Sequence, residues 1–122
     1  MAEPAARTRV VIIGDALPGA WRHDDARDPV FVAFDQIRSE SFTALRPDLI
    51  LTPLMDEGFD CFDVAIALRE TGYRGRLRAV VRFLPDPALV RREIAAICPG
   101  LDFDIIVTDR PGPNPVQGDP DQ

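Results

Sequence analysis

The sequence predicts an α/β domain built on a parallel, doubly wound sheet, and three observations carry that expectation. Short β-branched runs recur along the chain and alternate with stretches of helical period. The runs are apolar on both faces, as strands of a parallel sheet covered on two sides must be. The chain has 122 residues, 46% of them hydrophobic, which is enough for one core and one ordinary domain.

The elements follow in order. Thr8 to Ile13 carries VVII and ends at Gly14-Asp15, a buried strand closed by a turn. The stretch that follows, ALPGAWRHDDARDP, is a poor helix, because Pro18-Gly19 interrupts it and Asp28-Pro29 adds turn chemistry. Val30 to Phe34 reads as the second strand. Ser39 or Ser41 is a candidate cap for a short helix through Leu45. Asp48 to Thr52 (DLILT) is the third strand, followed by the loop LMDEGFD. Asp60 is placed to cap a helix running to Thr71. Phe62, Ala65, Ile66 and Arg69 form its stripe, widened by Cys61, Val64 and Leu68, and Gly72 stops it. Leu77 to Leu84 is the fourth strand. Pro85-Asp86-Pro87 opens a helix through Ile97, with Leu89, Val90, Ile94 and Ile97 in period. Phe103 to Thr108 is the fifth strand. The expected organisation is an N-terminal tail at 1–7, one domain at 8–110 and a Pro/Gly-rich tail at 111–122.

Composition excludes several functions. The formal net charge is −6, whereas phosphate backbones attract basic surfaces, so nucleic acid is not the expected partner. No apolar run reaches the roughly 18 residues of a membrane span, and MAEPAARTR lacks a signal-type apolar stretch. A cytoplasmic protein is expected. Cys61 and Cys98 have neither C-x-x-C nor zinc spacing and read as buried thiols. All 14 basic residues are arginine. Without lysine there is no Walker-type phosphate loop and no Schiff-base chemistry.

The phrase PDLILTPLMDEGFDCFDVAIALRETG resembles the third strand and third helix of response-regulator receiver domains. Pro47, Asp48, Leu49, Ile50 and Leu51 match the strand. Leu54, Met55, Asp60, Phe62, Val64, Ala65, Leu68 and Arg69 match the loop and helix. RVVIIGD resembles the receiver's first strand and acidic pair, and TDRP its threonine-lysine-proline. The resemblance spans roughly residues 8 to 111. It implies a flavodoxin-like five-stranded parallel sheet in the order 2-1-3-4-5, here with the first helix weak and the last missing.

The phosphorylation machinery implied by the resemblance is degenerate. The phosphoacceptor position falls on Pro53, and the first acid of the pair on Gly14, leaving Asp15. The position of the fourth-strand hydroxyl falls near Arg82 or Phe83, and the lysine near Arg110. Phosphoryl transfer needs a nucleophile, carboxylates on magnesium and a cation on the phosphoryl oxygens. The expected function is therefore a non-phosphorylatable pseudo-receiver acting by protein–protein contact in bacterial signalling or regulation. It is expected to be neither an enzyme nor a cofactor protein. The alternative is a small ligand- or metal-binding domain using the carboxyl edge of the sheet.

The remaining candidates have ordinary readings beside the functional ones. Asp15, Asp56, Glu57 and Asp60 have oxygen ligands suited to magnesium or calcium, but a helix cap and solvated loop charges explain them equally. Asp15 and Asp56 are the weak candidate ligands; no metal site is expected. Arg74, Arg76, Arg78, Arg82, Arg91 and Arg92 form a basic cluster in sequence, suited to an acidic partner or to plain solvation. Arg82 is placed to pair with Asp15 or Asp56. His23 lies among aspartates in a surface loop. VVIIGDA resembles the start of GDS-type esterases, but Ala16 replaces the serine and no histidine lies downstream. GDALPG lacks dinucleotide glycine spacing. A homodimer or obligate partner is expected over the face near the first and last strands, with Trp21, Ile105 and Val107 as its contacts.

Overall fold

The computed structural model describes residues 9–18 and 29–108. The elements are β1 (Val10–Ile13), β2 (Val30–Val32), a 3-10 turn (Phe34–Gln36), α1 (Glu40–Leu45), β3 (Leu49–Pro53), β4 (Met55–Asp56), β5 (Phe59–Asp60), α2 (Cys61–Thr71), β6 (Arg76–Val81), α3 (Pro87–Ile97) and β7 (Asp102–Val107). Five strands form one parallel sheet in the order β2-β1-β3-β6-β7, and β4 and β5 form a separate antiparallel hairpin. The α/β architecture and the parallel sheet agree with the sequence. No helix among the described residues is long and apolar enough to cross a membrane.

The helix boundaries follow local chemistry. Ser39 caps α1 by accepting from Phe42 N. Asp60 caps α2 in a reciprocal box: its carboxylate accepts from Asp63 N, and Asp63 accepts from Asp60 N. Each cap satisfies orphan donors worth about 1 kcal/mol. Gly72 ends α2 at φ 83°, a left-handed conformation that a side chain would strain. Asp86 caps α3 with proline in the first turn. The hairpin within LMDEGFD was not expected from the sequence. Gly58, at φ 93°, supplies its turn. The second strand stops at Val32 rather than Phe34, because Phe34 opens the 3-10 turn. The fourth strand stops at Val81 rather than Leu84.

Strand alternation sorts the side chains onto two faces. On one, Val11, Ile13, Ile50, Leu77 and Ala79 join Ile37, Phe42 of α1, Val64, Ala65 and Leu68 of α2, and Ile94 of α3 in the main core. Each such aliphatic side chain, fully buried, contributes roughly 1.5–3 kcal/mol. The buried stripe of α2 runs through Cys61, Val64, Ala65 and Leu68, while Phe62 and Ile66 are half-buried and Arg69 is exposed. In α3 only Ile94 is buried and Leu89 is exposed.

The opposite face is divided. Val10, Ile12, Leu49, Leu51 and Val80 are buried there, and Leu17 and Ile106 pack against them among the described residues. Strand register places Arg76 opposite Asp102 and Arg78 opposite Asp104 on the same face. Arg78 Nη1 bonds the Asp102 carboxylate at 3.3 Å and its carbonyl at 2.7 Å. The β6–β7 half of this face is thus charge-paired at its amino end. Ile105 packs with the helix-side core, and Val107 shares its side by alternation. The residue of β7 that belongs to the opposite apolar face is Ile106. Ile105 and Val107, the expected partner contacts, therefore lie on the helix-covered side of the sheet. Trp21, the two tails and residues 19–28 of the segment expected to be a weak first helix lie outside the described residues.

Candidate carboxyl-edge site

The parallel strands β1, β3 and β6 end at one edge, where the loops that follow carry Gly14 and Asp15, residues 54–59, and Arg82. Gly14 follows β1, donating its N–H to Val32 O at 2.8 Å, and takes φ 102°. A side chain there would project toward Asp56 Oδ2 and Phe59 Cζ, each 3.5 Å from the site of its Cβ. The Phe59 ring stacks on Phe34, with centroids 5.0 Å apart and planes 4° from parallel. The space beside Gly14 is thus bounded by Asp56 and by Phe59 of the β4–β5 hairpin, with Phe34 of the 3-10 turn stacked behind it. In the sequence Phe59 lies within the loop LMDEGFD. The D-E-G-F turn signal was its only clue, and neither period nor spacing links it to Phe34.

At the end of β3, Pro53 is buried and pairs in register with Val80. Its backbone neighbours are also committed. The Thr52 hydroxyl donates to Pro53 O at 3.0 Å, Leu54 N donates to Val80 O at 3.0 Å, and Cys61 N donates to Leu54 O at 2.9 Å. No nucleophile stands at this position.

Two carboxylates of the rim are separately employed. Asp60 caps α2, and Asp56 Oδ1 accepts from Glu57 N at 2.8 Å. Asp15 and Glu57 are exposed. Among the described residues, no group of three histidine, cysteine, aspartate or glutamate side chains is arranged to hold a metal ion. Arg82 lies exposed just past β6. Arg110 and His23 lie outside the described residues.

The arginines do not form one surface. Arg78 pairs with Asp102 on the face opposite the helices, and Arg91 Nε with Asp104 at 2.7 Å beside α3. Arg74 lies near Gly100 at the amino edge, while Arg82 is at the carboxyl edge. The sequence cluster is dispersed because Arg76 and Arg78 share one face of β6, Arg74 and Arg82 flank its opposite ends, and Arg91 and Arg92 stand on α3.

Perturbed ionisations belong to structure rather than to chemistry. Burial, reinforced by the Asp60 charge, pushes the Cys61 thiol up to about 12. Burial likewise raises Cys98, whose Sγ donates to Ala65 O at 3.3 Å. Both cysteines are free and buried, as the sequence suggested. Tyr73 is raised to about 12 by burial, and its hydroxyl donates to Arg76 O. The Arg91 hydrogen bond lowers Asp104. None of these shifts moves a group toward neutrality, where an acid–base catalyst would sit.

Two grooves lie elsewhere. One of about 220 Å³ is at the amino edge, between Arg69, Tyr73, Arg74, Cys98 and Leu101. There Arg69 Nη1 donates to Ile97 O at 2.7 Å, closing the C-terminus of α3. The other, about 300 Å³, runs along β2 and α1 past Phe31, Ser39 and Phe42.

No family model, curated protein or solved structure matches the chain.

Proposed function

We propose that this chain is a receiver-like domain of flavodoxin-like topology that takes no phosphoryl group and works by protein–protein contact in bacterial signalling or regulation. With the β4–β5 hairpin set aside, its parallel strands lie in the chain order 2-1-3-4-5. A doubly wound sheet presents ligands and reactive groups beyond the carboxyl ends of its strands. The observation that carries the reading lies at that edge. The acceptor position is a buried proline, and the first acidic position is a glycine at φ 102° facing Phe59. An acceptor position without a nucleophile supports recognition as the use of this edge.

Calorimetric titration with magnesium, with and without beryllofluoride, tests the reading. The proposal expects no heat of binding in either arm. Magnesium binding strengthened by beryllofluoride would identify a working phosphoryl site. Binding of magnesium alone would favour a metal-binding domain.

A further inference from the structure

We infer that the carboxyl rim between β3 and β6 is the docking surface, and that its occupant is a basic amphipathic helix of a partner protein. The inference rests on the interaction-module reading above and names the surface and the chemistry of the partner. Four large apolar side chains stand out as exposed among the described residues: Phe31, Met55, Phe83 and Leu89. Three of them belong to this rim. Met55 is 73% exposed in the β3–α2 connection, Phe83 68% in the β6–α3 connection, and Leu89 43% in the first turn of α3.

The topology brings these three to neighbouring positions. β3 and β6 are adjacent, with Pro53 opposite Val80, and Leu54 N bonds Val80 O beyond the last pair. Met55 follows directly from that junction, and Phe83 three residues past Val80. Leu89 is tied to the same connection, because its N–H bonds the Asp86 cap. Nothing about the folding of α3 calls for Leu89 outward, since Ile94 supplies its buried contact. Grouped exposed apolar side chains of this kind mark interaction surfaces.

Charge identifies the occupant. The same connections carry the exposed carboxylates Asp56, Glu57 and Asp86, and Asp15 stands exposed after the neighbouring β1. Two exposed arginines stand beside them, Arg82 in the β6–α3 connection and Arg92 one turn past Leu89, so four carboxylates against two arginines leave the surface net acidic. Apolar anchors on a net acidic rim complement a helix with an apolar stripe flanked by lysine or arginine. A second copy of this chain fits less well. Its described helices keep Cys61, Val64, Ala65 and Leu68 of α2 and Ile94 of α3 inside the core.

The test uses the full chain, ¹⁵N-labelled, titrated with a synthetic leucine–lysine amphipathic helix. A leucine–glutamate helix with the same apolar stripe is the control. The inference expects amide shifts centred on residues 54–57 and 82–89, binding weakened at least tenfold by Met55→Ser with Phe83→Ser, and threefold or more by Asp56→Asn with Glu57→Gln. The basic helix should bind at least tenfold more tightly than the acidic one. No binding at millimolar peptide, equal binding of both helices, or shifts centred on Phe31 and the β2–α1 groove would each overturn it. Phe31→Ser is the matched surface control and should leave binding unchanged. Phosphorylation of the chain would instead defeat the pseudo-receiver reading, and leaves this titration able to judge the rim on its own.

Discussion

An acid placed at Gly14 should damage the fold rather than create a metal site. Gly14 holds φ 102°, and a non-glycine residue there carries backbone strain of about 1–3 kcal/mol. The Cβ itself fits, since its nearest neighbours lie at 3.5 Å. The carboxylate of Gly14→Asp, however, would face Asp56 Oδ2. Two like charges about 4 Å apart repel by about 1 kcal/mol when well solvated. The sum is about 2–4 kcal/mol, a Tm loss of roughly 10 °C for a domain of this size. Gly14→Ala separates the terms, because it keeps the strain and omits the charge. Thermal and urea unfolding of both variants would be compared at low and high salt. The extra loss in Gly14→Asp should shrink with salt. It should also shrink as the pH falls: a like neighbour raises the folded-state pKa, so the penalty applies to the ionised form and vanishes on protonation. Gly14→Asp as stable as the parent, or stabilised by magnesium, would refute the argument.

Other consequences follow from the same geometry. Pro53→Asp alone should not become labelled by acetyl phosphate, and magnesium-dependent labelling of that variant would show that one residue suffices. Leu51→Ala and Ile50→Ala should each cost about 2–5 kcal/mol in urea unfolding, since both side chains are fully buried although on opposite faces. A loss below about 1 kcal/mol for Leu51→Ala would mean that its face is open. Native Cys61 should react with a thiol reagent at pH 8 only as fast as the domain opens, given a thiol pushed up to about 12; rapid labelling of the folded protein would contradict that burial. Asp104→Asn should cost no more than about 1 kcal/mol at neutral pH, because the pair with Arg91 is half-exposed. Asp104 is lowered in the folded state, so its contribution is present above the ordinary carboxylate range and lost as the pH falls through the folded value. A difference between parent and variant that persists in acid would argue against that pairing.

Local chemistry made much of the fold legible. Asp60, Gly72 and Asp86 act within a few residues, and each marks the helix boundary expected of it. The apolar runs located all five strands of the main sheet, because a doubly covered parallel strand leaves its mark on both faces. What stayed hidden depends on contacts between distant segments. The Phe34–Phe59 stack joins two loops with no shared period. The division of the face opposite the helices arises from the register of β6 against β7, which sets Arg78 opposite Asp104 and within reach of Asp102. Ile105 and Ile106 are equivalent in composition, and only the pleat decides which one faces the helices. At the candidate site, the proline at position 53, which offers no nucleophile, was readable directly. The backbone conformation of Gly14 was not.

The central claim is that the carboxyl edge accepts no phosphoryl group. Intact-mass spectrometry of the full chain, incubated with acetyl phosphate and magnesium, measures this most directly. The account predicts an unchanged mass. A phosphoryl adduct mapped to Asp15 or Asp56 would contradict it.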